Sequence, residues 1–377
     1  MAYLADMLHF ILGYIVPFLL VLTLIVFVHE MGHYLAGRWS GIRILAFSVG
    51  FGPELLGYTD KHGTRWKVCA IPLGGYVKFF GDEDAASVPD YGRLEQYSAD
   101  DRHRTFLGAK LWKRAVTVAA GPIANFILAI AIFAVLFSIY GKPVADPIVA
   151  EVKQDSAAAQ AGVLPGDLLV SIDGTLVTTF DDVRRYVSVR PETPITIQIK
   201  RKGELLDLPM VPQRTEITDQ FGNKMELGII GILTNQETGN FRLQTFGPVE
   251  AVGQGVIESW HIVTGTFNYL ANLVTGRMKA DQLGGPIRVA QASGQMATIG
   301  VAAVLQLAAV LSVSIGLLNL MPVPVLDGGH LMFYAVEAVR GKPVGPGMQE
   351  IAFRIGFAMV LMLMVFATWN DISSLLG

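Results

Sequence analysis

Two histidines four positions apart, His29 and His33, with Glu30 beside the first, form an HExxH run at the end of an uncharged stretch from Leu8 to Val28. On a helix the two imidazoles lie about 40° apart around the axis, so both can reach one metal ion. Glu30 then stands at the ion's open coordination position. A carboxylate there takes a proton from metal-bound water while the ion, usually zinc, polarises a carbonyl, and the reaction this proposes is hydrolysis of a peptide bond. Ionisable groups at the end of an apolar span are costly to place and by default mark a function. A second cluster, Asn319-Leu320-Met321-Pro322-Val323-Pro324-Val325-Leu326-Asp327-Gly328-Gly329-His330, lies almost three hundred positions on. Zinc held by two histidines and a water needs a third protein ligand, and Asp327 has the right chemistry. Two prolines end the preceding helix and two glycines free the backbone, so the turn can aim Asp327 back at the first cluster. His330 is a competing ligand by type, but the glycines are expected to carry it away. His9, His62, His103 and His261 have no ligand partners at helical spacing and read as solvated or interfacial.

The elements that must hold these groups are membrane spans. Of 377 residues 52% are apolar and 16% charged, and the mean hydropathy is +0.45, which excludes an ordinary soluble protein. The net charge of -3 and the scattered basic residues exclude nucleic acid as a partner. The single cysteine, Cys69, excludes an internal disulfide and a cysteine-based metal cluster. Span 1 runs from about Leu8 into the Tyr34 region, with Pro17 as a point where it can kink. No Lys or Arg precedes Arg38, so this stretch lacks the basic start of a cleavable signal and reads as a retained helix. Arg38 and Arg43 beyond it, and Arg102, Arg104, Lys110, Lys113 and Arg114 before span 2 (Ala115 to Tyr140), place the HExxH end toward the cytoplasm. In span 2, Gly121-Pro122-Ile123-Ala124-Asn125-Phe126 is expected to pack on the metal-bearing helix, with Asn125 as a structural hydrogen bonder. Span 3 is drawn from Val301 to Leu320, and span 4 from Ile351 to Trp369 with Arg354 snorkelling. By this count Asp327 arrives on the side of HExxH.

Between the spans lie three further segments. Ile42 to Gly52 and Arg65 to Phe80 read as short strands, and Asp82 to Asp101 as an exposed loop. Gly50, Gly52, Gly74 and Gly75 permit tight turns or a close backbone approach. That suits either an edge strand that receives an extended peptide or a plain cytoplasmic hairpin. Residues 145–235 form a soluble α+β module: Asp155 to Gly162 has a cap, an alanine-rich turn and a glycine stop, Leu168 to Ile172 is a strand, and Asp173-Gly174 and Lys202-Gly203 are turns. Ile195, Ile197 and Ile199 alternate as in a half-buried strand. In residues 246–300, Val252, Val256, Trp260, Val263, Phe267, Leu270 and Val274 draw an apolar stripe on a helix between Gly247-Pro248 and Gly276, suited to the outer membrane surface or to docking on the module.

The stretch SAAAQAGVLPGDLLVSIDG resembles bacterial protease-associated PDZ modules, which implies that a peptide or C-terminus binds in a strand and helix groove. With HEMGH, FSVGFGP, GPIANF and NLMPVPVLDGGH in this order, nearly the whole chain resembles the site-2 protease family of intramembrane zinc metalloproteases, of the bacterial regulator of sigma-E protease type. The resemblance implies a polytopic α-helical membrane protein of about four spans, with a membrane-associated β-hairpin and edge strand and an inserted PDZ domain. The core is then split between residues 1–143 and 301–377. It implies one Zn2+ per chain on His29, His33 and Asp327, with Glu30 as general base. It matches Asn319, Pro322 and Pro324 to a substrate-positioning motif, Asn319 bonding the substrate backbone or the developing oxyanion, and Gly50, Gly52, Gly74 and Gly75 to a re-entrant hairpin and edge strand that clamp the substrate. The implied activity is regulated intramembrane proteolysis of transmembrane proteins, such as anti-sigma factors, already trimmed by another protease. The implied location is the bacterial inner membrane, with the PDZ domain periplasmic. Some relatives carry two PDZ modules and this chain has room for one. The competing expectations are a non-catalytic PDZ-bearing adaptor with a structural zinc, and a metal transporter.

Overall fold

The computed structural model describes residues 11–81, 97–218, 224–234, 241–275 and 284–376, in two compact units, residues 1–133 with 284–377 and residues 134–283. His9 and most of the Asp82 to Asp101 loop fall outside the described residues. Among the described residues four helices are long and apolar enough to cross a membrane: Ile11–Trp39, Leu111–Ile139, Val301–Leu320 and Pro346–Ser374. The chain is a polytopic membrane protein, and the spans drawn from composition are all present, the third with the ends expected and the other three with shifted ends.

The first begins with a π-helical turn, Ile11–Ile15, and continues as α1, Val16–Trp39. Pro17 falls in the first turn of α1, directly after the π-helical turn. Helix α2, Leu111–Ile139, starts earlier than expected because its charged first turn finds partners. Lys113 donates to the Ser40 carbonyl at 2.7 Å, and Arg114 pairs with Glu337 at 2.5 Å over the Tyr334 ring. The two helices meet through small residues, as lipid-embedded helices do: a Cβ on Gly32 would overlap the Ala120 carbonyl. Helix α6, Val301–Leu320, joins them where Ser312 Oγ donates to the Asn125 carbonyl at 2.8 Å.

The Pro322 to Leu326 turn leads into α7, Asp327–Arg340, and α8, Pro346–Leu376, follows. Gly328 and Gly329 sit so tightly under the carbonyls of Leu320, Met321 and Val323 that neither has room for a Cβ. Between the stripe-bearing helix and α6 lies a helix the residue pattern did not suggest, α5, Pro286–Ile299. It packs on Ile11–Ile15, α1, α6 and α8, and its open N-terminus is capped by Asp371 of α8, which accepts from the N–H groups of Gly285, Ile287 and Arg288 at 2.8–3.1 Å. The cap comes from a residue 83 to 86 positions away, so local capping rules give no hint of it.

The two short strands are one long hairpin, β1 (Ile44–Thr59) antiparallel to β2 (Arg65–Phe79). Its near half packs with Tyr34, Ile42, Phe106, Val118 and Tyr334, and from Phe51 onward β1 is exposed. Gly50, Gly52 and Gly74 have φ of +87°, +85° and +127°, but they lie within the strands at register shifts, not in the turn. The turn is Asp60 to Thr64. Asp60 accepts from the N–H groups of His62 and Thr64, from Trp66 Nε1 at 3.0 Å and from the Tyr34 hydroxyl at 3.3 Å, tying the hairpin tip to α1.

Partial burial opposes the Asp60 charge, but these donors, Trp66 first, outweigh it and hold the carboxyl at about 2. The folded value lies below the unfolded one, so the stabilisation is complete above about pH 4 and is lost as the pH falls toward 2. Trp66 fluorescence should therefore report loosening of the tip over that interval, and Asp60→Asn should remove the transition.

In the second unit a four-stranded antiparallel sheet runs in the order β4-β3-β5-β6: Thr175–Leu176, Leu168–Ile172, Ile195–Arg201 and Glu204–Met210. Its buried face carries Leu169, Ile172, Ile195, Ile197 and Ile199 against Val183 and Val187 of helix α3, Phe180–Ser188, which a Thr179 and Asp182 capping box starts. Asp173-Gly174 and Lys202-Gly203 turn the chain with positive φ throughout, as expected. Arg201 holds the buried Asp167 with two bonds of 2.6 and 2.7 Å, and despite its burial this pairing keeps the Asp167 carboxyl below the usual range. The stripe-bearing helix is α4, Pro248–Val274. It docks by its polar side: Glu258 bonds Arg185 of α3 and Lys142, and Asn272 donates to the Val189 carbonyl. Val252, Val256, Trp260 and Phe267 remain exposed. His62 and His103 are exposed, as read from the sequence.

Candidate metal centre

One turn of α1 separates His29 from His33, and their rings meet edge to face with Nε2 atoms 3.1 Å apart. The N-terminal residue of α7 brings Asp327 Oδ2 to 3.2 Å from His29 Nε2 and 3.5 Å from His33 Nε2. The three residues form one group whose ligand atoms all lie within 4.8 Å of each other. Asp327 Oδ2 is buried and faces both ring nitrogens. A tetrahedral zinc with arms of about 2.0–2.1 Å has edges of about 3.3 Å, so the three donors already stand at ligand spacing and supply the N, N, O set that zinc favours. The residues fit the ion.

The outer ring nitrogens decide which nitrogen faces inward. His33 Nδ1 lies 2.9 Å from the Thr117 carbonyl, which only accepts, so Nδ1 carries the hydrogen and Nε2 keeps its lone pair for a metal. His29 Nδ1 lies 3.3 Å from Asn125 Nδ2.

Glu30 stands against β2. Its carboxylate accepts from the Val77 backbone N–H, and a Cβ on Gly75 would lie 3.1 Å from Glu30 Cγ, 3.0 Å from Val26 and 2.7 Å from the Ser48 carbonyl. A glycine is required there for strand and helix to approach. Among the described residues no strand pairs with the other edge of β2. Glu30, His29, His33 and Asp327 line one cavity of about 800 Å³ with Gly75, Tyr76, Val77, Asn319 and His330.

Of the residues expected to position a substrate, Asn319 and Gly75 therefore reach the cavity. Pro322, Pro324, Gly50, Gly52 and Gly74 do not line it. Pro324 packs on Gly356 of α8, Gly74 lies under the Phe51 ring, and Gly50 lies against the Ile71 carbonyl. They shape the elements that carry the wall. His330 stands outside the three-donor group, as expected, but the helical turn returns it to the cavity rather than carrying it away. The contacts of Thr117 and Val77 went unforeseen because they are made by backbone atoms, which residue type does not announce. Asn125 was expected to hold helices together, and it also faces a candidate ligand. Its place in GPIANF, on the helix that packs against HExxH, was the available signal.

The profile of peptidase family M50 matches residues 17–363. A Rhizobium meliloti protein provisionally named a zinc metalloprotease is 76% identical over 367 residues, covering 97% of this chain and 98% of its own length. A Brucella suis protein of the same provisional name is 52% identical over 362 residues, 96% of each chain. Metalloprotease MmpA of Caulobacter vibrioides is 38% identical over 381 residues, 95% of each chain. Among solved structures, the PDZ domain of an SdrC-like protein from Listeria monocytogenes aligns with 22% of this chain and 82% of its own, at 23% identity and a TM-score of 0.18.

Proposed function

Because this chain belongs to peptidase family M50 and is a membrane zinc metalloprotease, we propose that it cuts transmembrane segments of other proteins within the bilayer, as in regulated intramembrane proteolysis. The observation that carries this reading is the meeting, in one cavity framed by spans, of three metal donors, the Glu30 carboxylate and an edge of β2 that no strand pairs among the described residues.

His29, His33 and Asp327 would hold one zinc per chain. When bound, the ion supplies a polarised carbonyl and a water acidic enough to lose a proton near neutrality. Glu30 accepts that proton and returns it to the leaving nitrogen. Asn319 donates from its amide to the carbonyl oxygen as charge gathers there. A transmembrane helix hides its carbonyls in its own hydrogen bonds, so it must open before attack. The edge of β2 beside Gly75 and Tyr76, unpaired among the described residues, offers replacement bonds to the opened segment.

The basic residues flanking the spans support a site toward the cytoplasm of a bacterial inner membrane. The PDZ-like module would then be periplasmic, binding a peptide or C-terminus of substrates already trimmed by another protease. An adaptor with a structural zinc would leave Glu30 without a duty.

The test uses the full chain in lipid vesicles with a reporter whose transmembrane segment contains helix-loosening residues. Mass spectrometry should find the new termini inside that segment, a zinc chelator should stop their formation, and added zinc should restore it. Cleavage confined to loops outside the bilayer, or indifferent to the chelator, would overturn the reading.

A further inference from the structure

Both imidazoles of the HExxH run turn their outer nitrogens toward α2, but they meet different groups. His33 faces the Thr117 carbonyl, which fixes one tautomer. His29 faces the side-chain amide of Asn125, whose two ends are opposite in kind: one donates, the other accepts. Asn125 is fully buried, and its Oδ1 meets no donor. The residue is tied to α6 through its backbone carbonyl, which accepts from Ser312 Oγ, so the side chain is not needed for that helix contact.

We propose that Asn125 is a positioning residue that sets the tautomer of His29 by the orientation of its amide. With Nδ2 toward the ring the amide donates to a bare Nδ1, and His29 carries its proton on Nε2, which faces His33 Nε2 at 3.1 Å and Asp327 Oδ2 at 3.2 Å. That arrangement leaves no lone pair on Nε2 for an ion. With the amide turned by 180°, Oδ1 accepts from Nδ1–H, and Nε2 is bare for an ion. No net proton is gained or lost: the imidazole hydrogen leaves Nε2 and one is held at Nδ1. Thr117 cannot serve both forms, so of the two candidate ligands His29 is the one able to relax when the ion departs.

This inference rests on the reading of His29, His33 and Asp327 as the metal donors, and the experiment separates the two. The full chain in detergent is titrated with Co2+, followed by its visible absorption, and with Zn2+ against a chromophoric chelator. Asn125→Leu, similar in size and lacking both ends, should weaken metal binding about 10- to 100-fold. Asn125→Asp, which always accepts, should bind at least as tightly as wild type. Ser312→Ala should lower the thermal midpoint and leave metal affinity unchanged. Wild-type affinity in Asn125→Leu would overturn the inference and leave the donor reading intact, as would equal weakening in the Leu and Asp variants alongside equal losses of thermal midpoint. Metal uptake untouched by His33→Ala would overturn both. Should the Leu variant fail to accumulate, weaker binding by the Asp variant alone is the overturning result.

Discussion

Glu30→Gln should lower cleavage of a transmembrane reporter by about 10²- to 10⁴-fold while bound zinc stays at the wild-type level. The amide has the shape of the carboxylate and can still accept from the Val77 N–H, so the seat of the side chain against β2 is kept. His29, His33 and Asp327 are untouched, and the donor group keeps its spacing. What the variant lacks is the ability to take a proton from the attacking water and hand it to the leaving nitrogen. Metal analysis and cleavage rate measured on the same sample check both halves. An undiminished rate would remove Glu30 from the chemistry, and a loss of zinc would make it a structural residue instead.

Gly121→Ala should cost as much by a different route. A Cβ at this position would overlap His33 Nε2 and lie 2.5 Å from Cε1 and 2.9 Å from Cδ2. The imidazole has nowhere inexpensive to go. Its Nδ1 is bonded to the Thr117 carbonyl one turn back on the same helix, and its Nε2 faces His29 and Asp327. One methyl therefore either pushes the ring out of the donor group or pries α2 from α1. The expected outcome is zinc affinity lowered at least about 10- to 100-fold, with cleavage lost in proportion. Gly253→Ala is the control: it lies in the interior of α4 with nothing within 4 Å of its would-be Cβ and should alter neither. Zinc retention by Gly121→Ala at the wild-type level would mean that the ring is not held where these contacts place it.

The donor set could be read in advance because HExxH is local and because Asp327 sits in a stretch whose prolines and glycines announce a turn. Its partners could not. Thr117 and Val77 act through a carbonyl and an N–H that every residue possesses, and the selection is made by the helix and strand that carry them. The spans were legible as apolar runs, but α2 extends back over Lys113 and Arg114 because Ser40 and Glu337, distant in the chain, satisfy those charges. The far half of β1 was hidden by Pro53 and Glu54, residues that argue against a strand unless the strand is bulged there, as it is. The glycines in the hairpin were recognised as positions for tight turns or close approach; Gly75 makes such an approach, and Gly50, Gly52 and Gly74 serve bulges. Positive φ serves a bulge equally well, and only the pairing distinguishes the two. Helix α5 stayed unseen because its cap, Asp371, is supplied from the end of another helix.

The helix Ile11–Trp39 has 29 residues and Val301–Leu320 has 20. At 1.5 Å per residue these are about 44 and 30 Å, set against a hydrocarbon layer of about 30 Å. The shorter helix matches that layer from end to end, whereas the longer one carries more than a span, its last eleven residues beginning at His29. The two histidines ride on that surplus, and Asp327 hangs from the turn that ends the shorter helix. Both halves of the donor group thus stand at helix ends, where apolar span gives way to polar chain, so a water can reach an ion there without crossing the lipid.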